Sequence, residues 1–310
     1  LVLFVLNMSY GFFIEARSKA QITRLFGQYV PPELVDEMAK DPARYSLRGE
    51  SKQMSVLFSD IVGFTSISEG LEASQLAEML NVFLSHMTRV IQGNRGTIDK
   101  YIGDAIMAFW GAPMSDEHHA RDAVMVAWPC RLRPARVECA SGGAGLAGEV
   151  QIGVGINTGR MSVGNMGSEF RMAYTVMADA VNLASRLEAL TRHYGVGVLV
   201  GEGTRSVCTD IVFRLIDRVK VKGKDKSVAI YQPLGVDGEI AEAVLQEARD
   251  FEAILEDYLA RRWDAAETRL LAMKQRHPGK LYDVYLERIA HFRGSPPPSD
   301  WDGVYTYTSK

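Results

Sequence analysis

Two rhythms of hydrophobic spacing alternate along this chain, and the switches between them mark out its elements. The first is a strand: Val56, Leu57 and Phe58 form a β-branched and aromatic run suited to a buried sheet. It delivers an acid, Asp60, at its exit. Gly63, Phe64 and Thr65 follow, where a glycine lets the backbone fold tightly and turn N–H groups toward an anion. The spacing then changes to three and four. Leu76, Met79, Leu80, Phe83, Leu84, Met87 and Ile91 make a wide apolar stripe that predicts a helix stopped by Gly93, and His86 among them needs no ligand role. Alternation returns at Thr97 to Ile102, Gly103 and Asp104 supply a turn, and Ala105 to Trp110 returns, so Asp104 sits at a hairpin tip.

Strand, helix and hairpin in that order are the first half of a ferredoxin-like sheet. Asp116 is expected to cap the next helix, which Pro129 and Pro134 end early; the small residues Ala140 to Gly148 predict a loop. His118 and His119 near its start point to different helix faces and are poor joint ligands. Val150 to Asn157 predicts a strand, Met161 to Met166 a second short one, and Met172 to Met177 a third that leads to Asp179 as N-cap of a helix over Ala180 to Leu190. On that helix Asn182 and Arg186 stand i, i+4 on one face. Runs at Val196 to Val200, Val212 to Val221 and Val228 to Gln232 complete the sheet. The fold class is α+β, an antiparallel-rich sheet with helices on one face. Beyond Gly235 the periodicity is helical over Ala241 to Tyr258, Trp263 to Lys274 and Leu281 to Phe292. Phe251 to Arg293 resembles one tetratricopeptide unit, which cannot bury its face alone and is expected to pack on the preceding domain or on a second copy. The tail with Pro296 to Pro298 and Trp301 carries no signal.

Composition changes this picture little. At 310 residues, 47% hydrophobic and 24% charged, the chain has room for a substantial core. A net charge of −3 offers no basic field for nucleic acid. Cys130, Cys139 and Cys208 are odd in number and lack CxxC spacing, which points to a reducing compartment and away from a zinc site. Leu1 to Ile14 is nearly all apolar and is followed by Arg17, Lys19 and Arg24. That run is expected to be the end of a transmembrane helix with a basic cytoplasmic flank, with a signal peptide or a buried core helix as the alternatives. Ala16 to about Lys40 is amphipathic and broken by Pro31-Pro32, a connector or a plain surface helix. The expected partition is 1–15 membrane segment, 16–50 connector, 51–235 catalytic domain and 236–310 helical region.

Three stretches carry a resemblance. Phe58-Ser-Asp-Ile-Val-Gly-Phe-Thr65, Lys100-Tyr-Ile-Gly-Asp104 and Tyr174-Thr-Val-Met-Ala-Asp-Ala-Val-Asn-Leu-Ala-Ser-Arg186 together resemble the class III adenylate and guanylate cyclases, in the family's order and spacing over about Ser51 to Pro233. The resemblance implies closure of ATP to 3′,5′-cyclic AMP with loss of pyrophosphate, helped by two Mg²⁺ or Mn²⁺ ions. Asp60, Asp104 and the carbonyl of Ile61 match the family's metal ligands, hard oxygens suited to such cations. Arg186 matches the residue that steadies charge on the α-phosphate, and Asn182 the one that orients the ribose. Lys100 and Thr175 match the purine-reading pair; guanine-forming relatives usually carry an acid at the first position, so ATP is expected over GTP. Thr175 in place of the commoner Asp resembles a subclass that includes bicarbonate-responsive cyclases. Phosphate contacts fall on Phe64, Thr65 and on Lys222 or Lys224, lysines that read equally well as a solvated basic turn.

In this family the two halves of each site come from different subunits, so the resemblance implies a homodimer with two composite sites on the cytoplasmic face of the inner membrane. One departure stands out: Ala178 occupies a place where relatives usually have Gly, and a positive φ there would cost on the order of 1 kcal/mol. Two other readings compete with an active cyclase. One is a silent cyclase-like module that only dimerises; the other is a nucleotidyltransferase with a polymerase-type palm, which would need a basic template channel.

Overall fold

The computed structural model describes residues 49–132, 135–137, 148–168, 171–220 and 227–306. The expected membrane segment, the connector as far as residue 48, the expected loop over 140–147, and Lys222 and Lys224 lie outside the described residues, while Glu50, placed in the connector, opens the first strand.

Strand β1 (Glu50–Ile61) runs longer than its apolar core suggested, because its first residues pair along β6 (Ile152–Ser168) from Glu50 opposite Val163 to Ile61 opposite Ile152. The short helix α1 (Phe64–Glu69) follows Gly63, whose φ of 73° is the left-handed conformation the tight turn requires. Helix α2 (Ala73–Gly93) and the hairpin β2 (Thr97–Ile102) and β3 (Ala105–Trp110) stand where the hydrophobic spacing put them. Helix α3 (His119–Leu132) continues through Pro129 rather than ending early. A proline so near a C-terminus removes one backbone bond while the final turn still closes. Asp116 instead accepts from the His118 N–H at 2.9 Å, one turn ahead of α3. Two short strands, β4 (Ala135–Val137) and β5 (Gly148–Val150), pair as a separate ribbon.

Two further expectations are corrected. Val150 to Met166 is not two strands: β6 passes straight through Thr158 and Gly159, which stay paired with Ser55 and Met54. Asp179 is not the N-cap of α4 (Asp179–Tyr194), because Ala178 fills that place and its carbonyl accepts from the N–H groups of Val181 and Asn182. Ala178 is extended, with φ −176° and ψ 168°, so its methyl carries no strain. The remaining elements are β7 (Arg171–Met177), β8 (Val198–Gly201), α5 (Glu202–Val207), β9 (Ile211–Lys220), β10 (Val228–Val236), α6 (Glu242–Leu259), α7 (Trp263–Arg276), α8 (Lys280–Gly294) and β11 (Tyr305–Thr306).

The described strands form a mixed sheet in the order β11-β9-β10-β8-β6-β1-β3-β2, with β7 on β6. Within it β6-β1-β3-β2 has the ferredoxin-like arrangement, the fourth core strand beside the first. Helices α2 and α3 bury Met79, Phe83, Met87, Ala123 and Val124 against Leu57, Ile106 and Ile156 on one face, but the expectation that the helices share one face is corrected by α4. Helix α4 lies on the other face, close enough that a Cβ on Gly155 would meet the Ala184 carbonyl at 2.2 Å. Only a glycine lets the helix backbone approach β6 that closely. The C-terminal helices share a second core with α4 and β9, built from Phe251, Tyr258, Tyr285 and Ile289 against Leu187, Tyr194 and Ile216. Trp301, silent in the sequence, closes that cluster with its ring 5.1 Å from Phe292 and 5.5 Å from Tyr258.

Candidate functional site

Asp60 is the penultimate residue of β1, and Asp104 sits at the β2–β3 tip. Antiparallel pairing of β1 with β3, Ser59 opposite Ile106, draws the tip alongside the strand exit. The Ile61 N–H donates to Asp104 Oδ2 at 3.2 Å. The two carboxyls are close enough that burial, a side-chain hydrogen bond to Asp60 and the Asp60 charge push the Asp104 carboxyl up from 3.8 to about 6. Two acids that repel one another are a donor set a divalent cation would suit, since it relieves the repulsion and prefers carboxylate oxygen. Among the described residues no cluster of three or more His, Cys, Asp or Glu side chains adds to them. The resemblance adds the carbonyl of Ile61, the residue after Asp60, as a further hard donor.

Arg192, which the motifs do not include, reaches the same corner. Its guanidinium donates to Asp60 Oδ2 at 2.5 Å and to Glu188 Oε1 at 2.9 Å. The sequence held one clue, the i, i+4 spacing of Glu188 and Arg192 on α4. Hydrogen bonding to Glu188 is the main cause raising the arginine above its ordinary value, while burial raises Glu188 against the pull of Arg192.

Thr175 and Lys100 meet through a residue nobody would pick from the motif alone. The pairing of β2 with β3 is irregular between Ile98 and Lys100, and Asp99 falls in that bulge. Thr175 Oγ1 donates to Asp99 Oδ2 at 2.5 Å, and Lys100 Nζ lies 3.1 Å from Asp99 Oδ1. Asp99 and Thr175 are buried and Lys100 is exposed. Asn182 and Arg186 project from the first half of α4, Asn182 exposed and Arg186 half-buried. Phe64 packs against the α2–α3 core, while Thr65 is exposed on α1.

Within one chain these groups do not converge. Arg192 marks the end of α4 that touches Asp60; Arg186 lies six residues away, about 9 Å of helix rise, and about 120° around the helix. Asn182 is about 15 Å of rise from Arg192. His119 is a buried hydrogen-bond partner of Ser55, its Nδ1 2.8 Å from Ser55 Oγ, and burial lowers its pKa.

Comparison with known proteins fits this geometry. Residues 48–232 match the adenylate and guanylate cyclase catalytic domain. Adenylate cyclase 1 of Rhizobium meliloti is 34% identical over 212 residues, covering 68% of this chain and 32% of that protein. The adenylate cyclase of Anabaena cylindrica is 36% identical over 214 residues, covering 67% of this chain and 42% of that protein. The chain thus spans about a third to two fifths of the length of these relatives. Among solved structures, the adenylyl cyclase CyaB from P. aeruginosa is 36% identical with a TM-score of 0.56, over 63% of this chain and 100% of that one. The guanylyl cyclase Cya2 is 33% identical with a TM-score of 0.54, over 62% of this chain and 96% of that one.

Proposed function

Since the chain belongs to the adenylate and guanylate cyclase family, we propose that it converts ATP to 3′,5′-cyclic AMP and pyrophosphate at sites shared between two copies. The observation that carries the proposal is the meeting of Asp60 and Asp104 at the C-terminal end of α4 while Asn182 and Arg186 project from its first half. One chain holds both halves of a site and cannot bring them together, so a head-to-tail pair is the economical way to complete it. Exposed Tyr101, Ile102 and Met177, on the same hairpin and strand as Lys100 and Thr175, support such a contact.

In this reading Asp60, Asp104 and the Ile61 carbonyl hold Mg²⁺ or Mn²⁺. Bound there, the ions would supply Lewis-acid polarisation of the phosphates and a lowered pKa for the ribose 3′-hydroxyl. The partner copy presents Arg186 to the α-phosphate, where its planar fork matches developing charge on oxygen, and Asn182 to the ribose. Lys100 and Thr175 hold the purine in the manner of the threonine-bearing subclass, with ATP preferred. Phe64 and Thr65 sit at the turn beside the acids, where backbone N–H groups can meet the phosphate tail. The apolar run Leu1 to Ile14 with its basic flank supports attachment to the cytoplasmic face of the inner membrane; among the described residues no helix is long and apolar enough to cross a bilayer.

The test is direct. Purified chain with ATP and Mg²⁺ or Mn²⁺ should yield cyclic AMP, and neither Asp60→Ala nor Arg186→Ala should. Mixed one to one, the two inactive variants should recover about a quarter of wild-type activity, since half the dimers are mixed and each carries one intact site. Full inactivity of the mixture would remove the shared site; an inactive wild type would leave the silent module.

A further inference from the structure

The purine-reading pair has a third member that decides what it can read. We propose that Asp99 is the residue that sets this site for adenine, by fixing which way the Thr175 hydroxyl points. The inference rests on the cyclase reading and deepens it.

A threonine hydroxyl carries one proton and two lone pairs, so alone it accepts from adenine or donates to guanine with equal ease. Here that freedom is gone. A carboxylate only accepts, and Asp99 Oδ2 takes the Thr175 proton at 2.5 Å. Whatever meets the open side of Thr175 Oγ1 meets lone pairs alone. Adenine offers the 6-amino donor there, whereas guanine offers the O6 acceptor and is repelled. Lys100 completes the pattern from the other side. It is donor only, which suits the bare N1 of adenine and opposes the N1–H of guanine.

Asp99 is held to this task. Its side chain is 1% exposed, and the irregular pairing at Ile98 and Lys100 brings consecutive residues to one place where a regular strand would send them to opposite faces. Oδ1 lies 3.1 Å from Lys100 Nζ without forming a hydrogen bond to it, so its charge draws the ammonium toward the purine edge without consuming its donors. The carboxylate that commoner relatives place at position 175 has, in this chain, moved one layer back and acts through a hydroxyl.

Asp99→Asn is the telling variant. The amide oxygen faces Lys100, which can only donate, so the NH₂ faces Thr175 and turns its proton outward. Equilibrium binding of 3′-deoxy-ATP and 3′-deoxy-GTP to the full chain reads the consequence without turnover. The wild type should favour the adenine nucleotide, and Asp99→Asn should narrow that ratio by about tenfold, the worth of one inverted hydrogen bond. A merely structural Asp99 would weaken both nucleotides alike, and an unchanged ratio overturns the proposal. If Asp99→Asn does not fold, the 6-methoxypurine analogue of 3′-deoxy-ATP, which keeps the bare N1 that Lys100 meets, decides on the wild type. It carries oxygen at C6 and should bind at least about tenfold more weakly than 3′-deoxy-ATP; equal binding overturns the proposal. A chain that forms cyclic AMP with an unchanged ratio sinks this inference alone, while one that binds no purine triphosphate sinks the cyclase reading with it.

Discussion

Arg192–Asp60 and Arg288–Asp217 are ion pairs of nearly equal length, 2.5 and 2.6 Å, and both touch the last turn of α4. The first is made by α4 itself; the second is joined by Tyr194, whose hydroxyl donates to Asp217 at 2.5 Å and accepts from Arg288 at 3.1 Å. Their surroundings differ sharply. Arg288 and Asp217 are 3% and 4% exposed, whereas Arg192 is 46% exposed and Asp60 22%. One helix end therefore holds a sealed charge pair that fastens the C-terminal helices to the sheet and an open one at the proposed catalytic corner. Contact length is no guide to what a pair does; the water around it is.

The sharpest way to break this comparison is to truncate each arginine in turn. Arg288→Ala strands Asp217 in the interior with only the Tyr194 hydroxyl and the Arg218 N–H to meet its charge, and should cost about 3–5 kcal/mol in urea unfolding. Replacing both partners with apolar side chains, Arg288→Met with Asp217→Leu, should recover most of that loss, because a buried pair offsets little more than its own desolvation. A small effect of Arg288→Ala would mean that water reaches the pair and that the two ends of the comparison are alike.

A weaker but pH-resolved effect belongs to Asp104. Burial, and then Asp60, raise its carboxyl to about 6, so the folded chain binds this proton more tightly than the unfolded one. Stability from this group is therefore full below about pH 4 and is lost as pH rises through 6. Asp104→Asn, which has no charge to repel Asp60, should melt about 1–2 °C above wild type at pH 7.5, the modest size reflecting partial exposure. The gain should vanish at pH 3.5, and cyclic AMP formation should be lost throughout. A gain that persists at pH 3.5 would assign the effect to packing rather than charge.

How much of this was legible in the sequence follows the same division between local and distant contacts. The α2 stripe, the hairpin with Asp104 at its tip and the strand exit at Asp60 are local patterns, and the structure has them where the spacing put them. The misreadings lie where tertiary pairing overrides a local breaker: Gly159 interrupts nothing because Met54 pairs with it, and Pro129 falls where α3 has little left to lose. Ala178 looked strained because a relative's glycine suggested a positive φ, and the backbone is extended. The contacts of Asp99 with Thr175, Arg192 with Asp60 and Trp301 with Tyr258 were invisible for one reason: they lie at sequence separations that no periodicity spans.

The gentlest test concerns the open pair. In Arg192→Gln the lost contact is solvent-screened, so unfolding free energy should shift by less than about 1 kcal/mol. The acid it leaves behind is another matter. Arg192 is a competing cation on Asp60, and a dication approaching those oxygens must displace or share it. Without that competitor, Mn²⁺ should bind severalfold more tightly to the nucleotide-free chain, read by calorimetric titration, since removing one nearby positive charge about 4 Å away at the effective dielectric of a protein surface is worth up to a few kcal/mol before screening. Weaker Mn²⁺ binding in Arg192→Gln would reverse the assignment: the arginine would then be holding Asp60 in place for the metal, and the open pair would be as structural as the sealed one.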